Sequence, residues 1–290
     1  LPTPEPFGPG SAVVILGLGS AIAWGAGDFG GGWASRRGPV LGVTLIVQGV
    51  GVVLSIALAL ITREPIPAPS GLAISAAAGV AVTIGIVGLY HGLAVGRMGV
   101  VAPVTGLLAA VLPVVAGIVR DGPPAPPVLV GIIVALVAVV LVSRAPGTAG
   151  SRSGIELAII AGTGIGVFNI LVGELPDGQV FGPLSAIKIT ATLVIAAVIV
   201  AGRRAWQMPR RLVPIVVAGA VFDMTGNAFY VLATQVGRLD VAATLSSLYP
   251  VTTILLAMAL LGERVTRSHA MGIAAAVAAI VLISSGSAGA

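Results

Sequence analysis

Asp28, Lys188 and Asp223 are charged residues that fall well inside long apolar runs of this 290-residue chain. A charge at mid-bilayer costs about 2.5–3.5 kcal/mol on insertion scales, so it is retained with a partner or for a task. Asp223 lies near the middle of its run, with Asn227 at i+4 and Tyr230 at i+7. That spacing sets a carboxylate, an amide and a phenol on one helix face. The chemistry on offer is an ion pair with Lys188, a lining for the path of a polar solute, or both, since a solute or a proton can break and remake such a pair. Desolvation favours the neutral form of a carboxylic acid, which makes Asp223 a candidate proton carrier. Trp24, Tyr90, His91 and Tyr249 are further candidates to line a cavity, with core packing as the competing role.

The elements that must position these groups are membrane helices. Hydrophobic residues make up 57% of the chain and charged residues 9%, with a mean hydropathy of +1.11. A soluble domain could not cover that much apolar surface. Spanning the bilayer takes about 20 helical residues, and ten runs fit: 11–34, 38–62, 71–95, 99–119, 125–143, 154–173, 180–201, 212–236, 239–261 and 268–287. The expected class is all-α integral membrane with ten transmembrane helices, because a barrel would need alternating strands. The start, LPTPEPFGPG, is proline-rich and lacks a basic segment, so the first run reads as a span rather than a signal peptide. Cysteine is absent, which excludes disulfides and thiolate metal sites. No Walker A motif is present, and neither a cofactor nor a metal is expected.

The net charge of +5 does not point to nucleic acid, because nearly every Arg lies in a short gap between apolar runs, where it meets lipid headgroups. Eleven Arg lie on one side of the membrane and three (Arg63, Arg120 and Arg238) on the side of both termini, which places the termini outside. The use of Arg over Lys, together with the Ala and Gly excess, suggests a GC-rich bacterial genome and hence the inner membrane.

Residues 96–143 return at an offset of 141 as residues 237–284, with Gly96-Arg97-Met98 falling on Gly237-Arg238-Leu239. At the same offset Gly25 and Asp28 fall on Gly166 and Asn169, and at 140 Gly79 and Tyr90 fall on Gly219 and Tyr230. Residues 1–150 and 151–290 are therefore expected to be two five-helix repeats. An odd helix number inverts the second copy in the membrane, and sites in such proteins lie between the copies. The matched pair Asp28 and Asn169 gains weight from this. Asp223 opposite Thr83 and Asn227 opposite Val87 break the symmetry, weighting the site toward the first and the sixth to eighth runs. Gly162-x-x-x-Gly166 has close-packing spacing, while Pro113 and Pro250 interrupt the fourth and ninth runs. At Pro250 the carbonyl of Ser246 loses its donor, giving a kink.

Gly25-Ala26-Gly27-Asp28-Phe29 resembles the G-x-G-D motif of intramembrane aspartyl proteases, with Asp223 as a second carboxylate. The order of the two aspartates is reversed here and the Pro-Ala-Leu motif is missing. Trp24-Gly25 with Phe29, and Tyr249-Pro250-Val251 through Leu261-Gly262-Glu263-Arg264-Val265-Thr266 to Gly272, instead resemble an EamA domain of the drug/metabolite transporter superfamily. The resemblance covers the chain as two EamA-like units, although Gly122 stands where Glu263 has its counterpart. It implies a ten-helix bundle with a central cavity, a structural role for Glu263 at a helix end, and cytoplasmic termini, opposite to the Arg count.

The expected function is a secondary transporter, exporting small polar metabolites such as amino acids by alternating access. It is not an enzyme. Trp24, Asp28, Tyr90, His91, Asn169, Lys188, Asp223, Asn227, Tyr230 and Tyr249 are the substrate-binding candidates. Such a mixture of both signs suits a zwitterion in a low dielectric. A lipid-linked or amphiphilic substrate is the alternative. Expected partners are a small-molecule substrate, coupled protons and membrane lipids.

Overall fold

A computed structural model describes residues 9–95, 98–142, 154–261 and 266–287; Gly96, Arg97, Arg144, Arg152, Glu263 and Arg264 lie outside them. The helices are α1 (Pro9–Ser35), α2 (Val40–Thr62), α3 (Pro69–Val95), α4 (Met98–Asp121), α5 (Pro126–Val142), α6 (Ile155–Val172), α7 (Phe181–Gly202), α8 (Val213–Val236), α9 (Leu239–Ser246), α10 (Tyr249–Leu261) and α11 (Arg267–Ser287). No strand occurs among the described residues. Nine segments among them are long and apolar enough to cross a membrane, and Pro126–Leu141 is a shorter apolar helix. The chain is an all-α integral membrane protein.

Two runs depart from the expectation. The fifth is 17 residues long, at the lower limit for a span. The ninth is split: α9 ends at Ser246, residues 247 and 248 form a turn, and α10 starts at Tyr249. Pro250 has no N–H to return to Ser246, and the ladder is interrupted there. Pro113, by contrast, lies inside an unbroken α4.

Helix ends repeat across the halves. Arg63 closes α2 and Arg203 closes α7, both left-handed, with φ of 55° and 46°. Each is followed by the same six-to-one bond, Glu64 N–H to Ala59 O at 3.0 Å and Arg204 N–H to Ile199 O at 3.0 Å. This is the Schellman closure, here with Arg where Gly is usual.

Packing follows the same rule. The α1–α8 contact answers to α3–α6, α2–α8 to α3–α7, and α4–α6 to the contact of α1 with α9 and α10, while α2–α7 and α5–α11 pair like with like. Exchanging α1–α5 for α6–α11 maps this pattern onto itself. In lipid there is little hydrophobic drive between helices, so they associate where small residues let backbones approach. At Gly27 of α1, an added Cβ would lie 3.1 Å from Gly219 O and 3.3 Å from Asp223 N. At Gly164 of α6, it would lie 2.7 Å from Gly85 N of α3. Residues such as Val53, Leu60, Leu193, Val200 and Val281 are exposed on the outside, as lipid contact allows.

The end of the bundle bearing Arg63, Arg120 and Arg238 is laced together. Glu64 Oε2 accepts from the N–H groups of Val180 (3.1 Å) and Gly182 (2.8 Å), capping α7. Arg120 reaches Gly173 O and Glu174, each at 3.3 Å. Gln235 Nε2 donates to Gln179 O at 2.8 Å. At the start of α9, Arg238 donates to Gly122 O (2.6 Å) and forks onto the fully buried Asp240 at 3.1 and 2.8 Å. The hydrogen bond to Asp240, with the attraction of its charge, holds the Arg238 guanidinium above its ordinary pKa against the opposing effect of burial.

Candidate functional site

Where α1, α2, α7 and α8 meet, the intramembrane charges come together. Lys188 projects from α7 and is 1% exposed. Its ammonium donates to Asp223 Oδ2 of α8 at 2.5 Å and to Gln48 Oε1 of α2 at 2.9 Å. Gly51, one turn beyond Gln48, leaves room for the Lys188 stem: a Cβ there would lie 2.9 Å from Lys188 Cδ and 3.1 Å from Cε. The close crossing at Gly27 carries α1 over α8 at Asp223, so the next residue, Asp28, lies within electrostatic range of that carboxylate. Tyr90 of α3 is buried within range of both aspartates, its phenol against Gly31. Tyr249 of the adjoining α10, whose backbone lies against Gly25, is within electrostatic range of Asp28.

The two aspartates are not equivalent. Asp223 has its ammonium partner, whereas among the described residues Asp28 has no ion-pair partner. A carboxyl pair that shares one proton, as protease chemistry requires, is not what this arrangement makes, because Lys188 occupies Asp223.

A second group adjoins the first along α1 and α8. Trp24, one turn before Asp28, stacks at a tilt on Tyr230 with ring centroids 5.2 Å apart, and its indole lies against Gly226. The Tyr230 hydroxyl donates to the backbone carbonyl of Asn169 at 3.1 Å. The Asn169 amide nitrogen donates to Ala109 O at 3.3 Å, which fixes its orientation and leaves Oδ1 buried without a donor.

Most of the ten residues singled out in the sequence thus fall into one linked region, with two departures. His91 is exposed and stands apart from the cluster: on a helix it points about 100° away from the neighbouring Tyr90, and Tyr90 takes the inward direction. Asn227 is buried but does not reach the Asp223 carboxylate; its amide donates to the Asp223 backbone carbonyl at 2.6 Å. The column on α8 is therefore a carboxylate and a phenol, with an amide turned back on its own helix.

Gln48 was absent from the sequence candidates, and α2 with it. A signal for it exists: Gln48 and Lys188 are 140 residues apart, the offset that aligns Gly79 with Gly219. The two residues, matched at that offset, bond directly.

The EamA-like transporter family matches residues 152–285. The match covers the second half of the chain. The EamA-like match takes in α6 to α10 whole and α11 up to Ser285, and so includes Asn169, Lys188 and Asp223. A crystal structure described only as that of a protein shares the fold, with a TM-score of 0.76 and 17% identity over 94% of this chain and 96% of that one. No curated protein matches the chain. The family so matched is one of transporters.

Proposed function

We propose that this EamA-like protein is a secondary transporter that exports small polar metabolites, amino acids among them, across a bacterial inner membrane. Residues 1–150 and 151–290 act as two inverted five-helix units that rock about the site between them, giving alternating access. The observation that carries this reading is the Lys188–Asp223–Gln48 cluster, its Lys188 and Gln48 buried and Asp223 partly so, with Asp28 beside it, on helices drawn from both halves. Keeping three charges inside a bilayer has a standing cost. A scaffold could replace them with apolar residues; a carrier has a use for them, since polar groups that hold a solute must already be desolvated and in place.

Proton coupling fits the same cluster. A proton delivered to Asp223 would release Lys188, and its loss would restore the pair, so the two halves would exchange one arrangement for another with each proton. In proteoliposomes containing the full chain, Asp223→Asn should abolish flux driven by a pH gradient while leaving solute exchange. Gradient-driven flux at the wild-type rate in that variant would remove Asp223 from the coupling.

A further inference from the structure

We infer that the group this site receives is an ammonium, so that substrates are selected by a positively charged amine and not by a carboxylate; this rests on the transport reading above. Charge balance is the first ground. Asp28, Asp223 and Lys188 interact within one cluster, and together they sum to one negative charge when all are ionised. Lys188 is spent twice, on Asp223 at 2.5 Å and on Gln48 at 2.9 Å. The carboxylate left over is Asp28, and a single positive charge placed beside it makes the cluster neutral. In a low dielectric that balance weighs far more than it would in water.

The second ground is independent of charge. Asn169, the repeat mate of Asp28, presents a buried Oδ1 with no donor, while its nitrogen is fixed on Ala109 O. A buried unpaired acceptor costs about 1–3 kcal/mol, a cost that a donor carried by a solute would relieve. Both matched positions of the two halves therefore hold acceptors waiting for donors. They are joined by the Trp24–Tyr230 stack and the Tyr230–Asn169 bond. Rings flanking a carboxylate suit a cation as well, because their faces are electronegative. Among the described residues of the cluster, Lys188 is the one cation, and while Asp223 is ionised it is held there and on Gln48 rather than free for a substrate carboxylate.

The test uses three matched series of one amino-acid set with small, aliphatic and aromatic side chains: the methyl esters (ammonium only), the parent amino acids (both charges) and the N-acetyl derivatives (carboxylate only). Thermal unfolding of the detergent-solubilised full chain reads binding. We expect members of the ester series to stabilise the protein at least as well as their parents, and the N-acetyl series to have no effect. Asp28→Asn should weaken the esters at least about tenfold, the loss of a charged hydrogen-bond partner, and Asp28→Glu should restore much of it. The wild-type comparison stands even where Asp28→Asn does not fold. Stabilisation by N-acetyl derivatives equal to that by esters, or none by any ammonium-bearing probe, overturns the assignment. Binding of esters without passage of any bound amino acid across proteoliposomes keeps the ammonium site and removes the transport reading.

Discussion

Replacing Lys188 with Met tests the energetic logic of the cluster. The substitution keeps most of the stem that fits beside Gly51, but leaves the Asp223 carboxylate and the Gln48 carbonyl without their donor. Breaking a buried pair by removing one partner costs about 3–5 kcal/mol. Lys188 is 1% exposed and Asp223 20%, so Asp223 keeps part of its solvation and the low end applies, about 3 kcal/mol. Removing both charges in Lys188→Met/Asp223→Leu is a different matter. A buried ion pair exchanged for apolar groups of similar size is often neutral in stability, so the double variant should lie within about 1 kcal/mol of wild type. The coupling energy of the cycle is then roughly 2 kcal/mol or more. Equilibrium unfolding in mixed micelles, read by tryptophan fluorescence, measures all four corners. A Lys188→Met cost below about 0.5 kcal/mol, or a double variant that costs the sum of the singles, would refute the pair as the organising contact.

Other contacts give their own expectations. Arg238→Ala strands the fully buried Asp240 and should destabilise by about 2–4 kcal/mol, measured by thermal unfolding; Arg238 is 32% exposed, which rules out the largest values. Gly27→Val forces side-chain atoms into Gly219 O and Asp223 N and should cost about 1–3 kcal/mol, with transport falling alongside stability. Glu64→Ala uncaps α7 at Val180 and Gly182 and should cost about 0.5–2 kcal/mol, whereas Glu64→Gln keeps an acceptor and most of that stability. His91→Ala, at an exposed position, should leave solute flux unchanged; a large loss would bring His91 back to the site.

Helices were legible because lipid imposes a length and a composition that few other folds share. The meeting of Lys188 and Asp223 was legible for the same reason, since a charge in an apolar run must find its opposite. Gln48 was not, because a neutral amide among valines and leucines stands out far less than a charge does. The 140-residue offset to Lys188 marks its place, but that relation carries meaning only where the two helices touch. Asp240 was hidden by position: two residues past a gap Arg, it reads as an interfacial residue, yet α4 covers it at Gly117. Hydropathy also gives a helix its span without its phase, and so Tyr90 and His91, adjacent in sequence, entered as equals and faced different ways. Pro250 announced a disturbance, but whether a helix bends or breaks at a proline depends on what packs around it.

The most direct test of the central claim, that the Asp28–Lys188–Asp223 cluster is the transport site, is counterflow of labelled amino acids into proteoliposomes holding the full chain. Wild type and His91→Ala should exchange at least one amino acid at similar rates, and Asp28→Asn, refolded to the same monodisperse state, should lose at least about 90% of that exchange, the tenfold effect of losing a charged partner. Undiminished exchange by Asp28→Asn would contradict the account.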